Sequence, residues 1–137
     1  MLQAGTVILI LKIAVVSVTG LLAASLTALC RGNYRLHGRI NIVFFVLTLA
    51  AVLGLEVIVN VVAPGLLEDH LARWGAQSAL QTHLWFSIPS AALLLVMLPT
   101  GLRHYRRLHI AIGLVFLGLW TGTFITGVFF LPHGAAP

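Results

Sequence analysis

The stretch RGNYRLHGRINIVFFVL, residues 31–47, decides the fold, because it returns at residues 103–119 as RHYRRLHIAIGLVFLGL. Arg31, Arg35, Leu36, His37, Ile40, Val43, Phe44 and Leu47 recur as Arg103, Arg107, Leu108, His109, Ile112, Val115, Phe116 and Leu119, always 72 residues later. Apolar matches carry little weight in an apolar chain, but the shared Arg-x-x-x-Arg-Leu-His core does not arise by chance. In each copy the charged part opens an apolar run, and a second apolar run precedes each copy. Crossing a hydrocarbon core takes about 20 helical residues, and four runs reach that length: 6–29, 41–63, 84–102 and 110–131.

Backbone groups in lipid must bond within their own segment, so these runs are helices. The predicted fold is all-α: an integral membrane four-helix bundle built from two helical hairpins in parallel repeat, forming one transmembrane domain over 1–137. The first run is read as a retained span, since no basic stretch precedes it and Arg31 follows it instead of a small-residue cleavage site. Pro89 and Pro99 are expected to bend the third span. Residues 64–82 carry Leu66, Leu67, Leu71 and Trp74 at helical spacing, which predicts an amphipathic segment on the membrane surface with Trp74 at headgroup level.

Composition agrees. The chain has 137 residues, 60% of them hydrophobic and 8% charged, where a soluble domain carries about a quarter charged residues. Eight basic residues against three acidic ones do not form a phosphate-tracking face in so apolar a chain, so no nucleic-acid partner is expected. Six of the eight, Arg31, Arg35, Arg39, Arg103, Arg106 and Arg107, fall at the two turns within the hairpins. The other side has only Arg73, offset by Glu68 and Asp69. The positive-inside rule puts both arginine-rich turns in the cytoplasm and both termini outside. A single cysteine, Cys30, excludes an intrachain disulfide and a multi-cysteine metal site. The chain has no phosphate loop, paired catalytic carboxylates, Ser/His/Asp set or helical His-Glu-x-x-His. It has no catalytic constellation of its own, and electron transfer is the most it would perform.

His37 and His109 are the leading site candidates. Each begins a helix at one depth, on helices that are diagonal partners in an up-down-up-down bundle. Two histidines facing across a bundle could supply the axial ligands of a b-type haem, with Arg35 and Arg107 pairing its propionates. A bare metal pair, or two interfacial anchors at helix starts, would also explain them. At the outer end, His83 opens the third span, and His70 and His133 lie near it in the reading; imidazoles there would suit copper or iron. Lys12 and Glu56 are the charged residues inside the spans, both about 10 Å below the outer interface by helical rise. Equal depth on neighbouring helices predicts a structural ion pair. Gly20, Ala23, Ala24, Thr27 and Ala28 in the first helix, and Gly118-x-x-x-Gly122 in the fourth, are expected packing faces.

Over roughly residues 30–131 the chain resembles a bacterial four-helix membrane family of unknown function that includes the CtaM-type cytochrome c oxidase maturation factors. The resemblance is carried by Arg35-Leu36-His37-Gly38-Arg39, His83-Leu84, Arg106-Arg107-Leu108-His109, Trp120-Thr121 and Thr126-Gly127-Val128. Family members place a histidine at the start of helices two, three and four, matched here by His37, His83 and His109. They place another near the end of helix two, where this chain has Asn60, so an outer two-histidine site would need His70 or His133 instead. The resemblance implies a link to haem–copper oxidase assembly or respiratory electron transfer. The function expected is then a haem-associated subunit or assembly factor of a respiratory or electron-transfer complex in the bacterial inner membrane, with other membrane subunits as partners. A cofactor-free structural subunit and a copper-handling maturation factor are the alternatives.

Overall fold

The computed structural model describes residues 3–134. Four helices in it are long and apolar enough to cross a membrane. Helix α1 runs over Ala4–Cys30, α2 over Tyr34–Val57, α4 over Gln77–Leu102 and α5 over Arg106–Ile125; a short α3, Leu66–Arg73, crosses the end where α2 and α5 finish. Both α2 and α5 end in a π-helical turn, Ile58–Val62 and Thr126–Phe130. No strand occurs among the described residues.

The helices start earlier than the apolar runs. Tyr34–Arg39 and Gln77–Thr82 are polar yet helical, because a helix propagates back to its cap irrespective of where hydrocarbon begins. For α2 that cap is Asn33, whose side chain accepts the Leu36 N–H at 3.1 Å. Consequently the segment 64–82 is not one surface helix. Gly75, at φ +61°, breaks it, and Gln77 onward belongs to α4. Helix α3 packs on α1 and α4 with Leu71 and His70 buried and Trp74 exposed. Helix α4 continues unbroken through Pro89 and Pro99.

The repeat is present in the backbone as well as in the residues. After α1, Gly32 takes φ +73° and the N–H groups of Gly32 and Asn33 bond to Leu29 O and Ala28 O. After α4, His104 takes φ +58° and the N–H groups of His104 and Tyr105 bond to Gly101 O and Thr100 O. Every backbone bond of the first turn reappears 72 residues on, in the Schellman pattern that satisfies helix-end carbonyls. Glycine takes the left-handed conformation without a Cβ penalty, whereas His104 adopts it against that penalty.

Helices α1 and α2 form one hairpin and α4 and α5 the other; the hairpins meet through α2 against α4 and α1 against α5. Val18, Phe44, Leu94, Phe116 and Trp120 make the core. Phe44 and Phe116, equivalent in the repeat, meet edge-on across the α2–α5 diagonal with centroids 6.1 Å apart, and Trp120 lies 5.0 Å from Phe44. The Trp120 indole N–H donates to Thr19 Oγ1 at 3.1 Å, tying α5 to α1. Elsewhere the large apolar side chains face outward, among them Leu114, Trp85, Ile88 and Phe129. So large an apolar exterior requires lipid or protein around it. The chain is a multi-pass helical membrane protein.

Candidate functional site

His37 and His109 sit at equivalent positions, and each is anchored in the same way. His37 Nδ1 lies 3.0 Å from Ser25 O and His109 Nδ1 lies 3.2 Å from Met97 O, each carbonyl standing twelve residues earlier on the preceding helix. A carbonyl only accepts, so each ring carries its proton on Nδ1. Around this shared anchor the two copies have diverged. In the first hairpin, Ser25 Oγ, fully buried, donates to Asn41 Oδ1 at 2.6 Å and accepts from His37 Nδ1 at 2.8 Å. The Asn41 amide then donates to His37 Nε2 at 3.0 Å, closing a ring of bonds. In the second hairpin Ser25 becomes Met97 and Asn41 becomes Gly113. The Met97 methyl lies 3.6 Å from where a Cβ on Gly113 would be. Gly101 seats the His109 ring, since a Cβ there would stand 3.1 Å from Cε1. Thr100 Oγ1 adds a longer contact to Nδ1 at 3.3 Å, and among the described residues His109 Nε2 makes no hydrogen bond.

The histidines therefore clamp each hairpin to itself. Each ring is held by the preceding helix, and two turns further along α2 and α5 the diagonal is filled by Phe44 and Phe116. An axial pair needs both Nε2 atoms on one iron, and that of His37 is occupied by Asn41. The arrangement does not fit a bis-histidine haem between α2 and α5. Arg35 and Arg107 are exposed at the turns.

At the α3 end the histidines are also separated. His83 Nδ1–H donates to Thr126 Oγ1 at 2.9 Å, and Thr126 passes its own proton to Gly122 O at 2.7 Å. The His83 ring rests on the π-helical turn of α5, where a Cβ on Gly127 would come 3.0 Å from Cε1. His70 Nε2–H donates to Pro132 O at 3.3 Å. Lys12 Nζ donates to His133 Nδ1 at 3.0 Å. Among the described residues no three His, Cys, Asp or Glu side chains come together as a metal site.

No known protein family, curated protein or solved structure matches this chain.

The expected Lys12–Glu56 pair is not formed. Lys12 shares a face of α1 with Gly5 and Thr19, at seven-residue spacing, and that face meets the end of α5: Gly5 abuts the His133 carbonyl and Thr19 bonds Trp120. Glu56 lies on the outward side of α2, exposed, where Asn60 Nδ2 donates to its Oε2 at 2.7 Å and to its backbone carbonyl at 3.0 Å. Equal depth did not imply a shared face. The small residues also divide. Gly122 allows α5 to approach Phe86 of α4, whereas Gly118 faces open space. On α1, Ala28 is buried, but Gly20, Ala23, Ala24 and Thr27 are all exposed. Ser25 and Asn41 are hydrogen-bond partners that the sequence did not bring forward, and Thr126 and Asn60 stood out there without this role. The signal was there for three of them: a polar residue in an apolar run, four residues from a histidine or carboxylate, or twelve before one.

Proposed function

We propose that this chain is a cofactor-free structural subunit or assembly factor that packs laterally within a larger membrane complex of the bacterial inner membrane. The observation that carries this reading is the outward face of α1. Ser17, Gly20, Ala23, Ala24 and Thr27 recur every three or four residues, all exposed, and nothing lies within 4 Å of a Cβ position on Gly20. In lipid, small residues at this spacing let another helix approach closely and gain dispersion contacts. The histidines support the same reading from the other side. Both twin imidazoles hold their own hairpin together through Nδ1, as rigid parts of a scaffold. A place for that complex in the respiratory chain is what the sequence resemblance alone implies. The positive-inside rule orients the arginine-rich turns toward the cytoplasm and both chain ends outward.

Native electrophoresis of mildly solubilised membranes tests this. The wild-type chain should travel in an assembly well above its own 14.7 kDa, and Gly20→Leu should release it without lowering its amount. A wild-type chain that travels alone would sink the proposal. An absorption spectrum of the purified chain decides against the haem reading or for it: a haem band abolished by His109→Ala would replace this proposal with the electron-transfer one.

A further inference from the structure

We infer that the outer half of α2 seats a transmembrane helix of a different protein, one carrying a lysine or arginine at the depth of Glu56. This deepens the proposal above and rests on it, since a partner subunit must supply the helix. Glu56 lies six residues before Val62, the end of its helix, which is about 9 Å of rise. A glutamate side chain is too short to span that distance to the headgroups. It is surrounded on its own helix by exposed Val52, Leu53 and Val57. Ionisable side chains in spans almost always face the bundle interior or pair with an opposite charge. Glu56 does neither among the described residues: it faces outward, and its side-chain partner is the neutral amide of Asn60.

An amide orients a carboxylate but leaves its charge uncompensated. A carboxylate offers about four acceptor positions, so with one taken by Asn60 it retains room for a guanidinium fork or an ammonium. Holding Oε2 in place in advance lowers the ordering cost of that bond. The cation is not supplied by a second copy. Six arginines lie at the two hairpin turns, at the other end of α2, the seventh, Arg73 of α3, donates to the Asp69 carbonyl, and Lys12 is committed to His133 on the α5-facing side of α1. Lipid phosphates repel a carboxylate. A basic residue in another protein's span answers the charge, and such a residue has the same need of a partner.

The test places a photoreactive benzoylphenylalanine at position 53, one turn from Glu56 on the exposed side, in the full chain in its native membrane. Irradiation should give an adduct that maps to a transmembrane segment with Lys or Arg in its outer third. Glu56→Gln should reduce that adduct about tenfold or more. Glu56→Lys should restore it only when the mapped cation is changed to Glu. Should Glu56→Gln lower the amount of chain, Glu56→Asp provides the comparison, and at equal chain level it must keep the adduct. An adduct to a second copy, to lipid alone, or one insensitive to Glu56→Gln overturns the inference. If the wild-type assembly is large but the probe finds no charge-dependent neighbour, this inference falls and the lateral-packing proposal stands. If the wild-type chain travels alone, both fall.

Discussion

Replacing His37 by leucine should destabilise the bundle far more than the same change at His109, although the repeat makes the two residues equivalent. His37 holds Ser25 O, Ser25 Oγ and the Asn41 amide at 3.0, 2.8 and 3.0 Å. Interhelical hydrogen bonds in membranes average about 0.6 kcal/mol with a maximum near 1.7 and an i, i+4 pair on one helix adds up to about 0.5, so the two bonds to α1 and the Asn41 bond within α2 together contribute about 2 kcal/mol. Leucine would also strand the amide of the half-buried Asn41, which adds up to about 1 kcal/mol for a partly desolvated unpaired donor. The total is about 3 kcal/mol. His109 has two longer contacts, 3.2 Å to Met97 O and 3.3 Å to Thr100 Oγ1. Thr100 keeps its own bonds to Val96 O and Met97 O when the ring is removed, so the loss is about 1 kcal/mol. The difference of about 2 kcal/mol corresponds to about thirtyfold in the folded-to-unfolded ratio. Reversible SDS unfolding in mixed micelles, followed by the fluorescence of the buried Trp120, measures it. A Ser25→Ala and Asn41→Ala cycle should be non-additive, since the two side chains bond each other at 2.6 Å. Equal costs at His37 and His109, together with an additive cycle, would refute the clamp.

Gly122→Ala should cost about 1–3 kcal/mol by overpacking against Phe86, while Gly118→Ala, facing open space, should be neutral or stabilise by up to about 1 kcal/mol through helix propensity; the same unfolding assay reads both. Lys12→Met and Glu56→Gln should be additive within about 0.5 kcal/mol, because the two side chains do not meet. A coupling well above that would restore the ion pair. For topology, a membrane-impermeant maleimide applied to intact cells should label Gln3→Cys in a Cys30→Ser background and leave native Cys30 unlabelled until the membrane is opened. The reverse pattern would invert the orientation.

The spans were legible because hydropathy reports directly on the hydrocarbon a helix must cross, and the repeat because charged matches are rare in such a chain. The turns were not read: a left-handed residue at the first is Gly32, but the second copy puts His104 in the same conformation. What could not be read was azimuth in the bundle. Lys12 and Glu56, equally far from their spans' ends by count, differ in face, and which face of α1 meets α5 depends on packing around Phe44, Phe116 and Trp120, far along the chain from both. The same limitation governed the twin histidines. Their common depth suggested a ligand pair across the axis, but their direction is set by carbonyls on the preceding helices. Met97 and Gly113 looked unrelated until the fold brought Met97 against the space that Asn41 fills in the other half.

Each clamp is confined to one hairpin, and this has a consequence for biosynthesis. Ser25, His37 and Asn41 lie within a stretch of chain that leaves the ribosome as one piece, before α4 and α5 exist. Folding during synthesis proceeds from the N-terminal end, so the first hairpin can close its polar ring in the bilayer unaided, leaving no bare imidazole or amide to attract a chaperone or a neighbouring chain while it waits. The bond between Thr19 and Trp120 joins residues 101 positions apart and closes last, docking a half that is already complete. The polar lock belongs to the half that is made first and must stand alone; the half that arrives to find a finished neighbour holds its histidine with methionine and glycine.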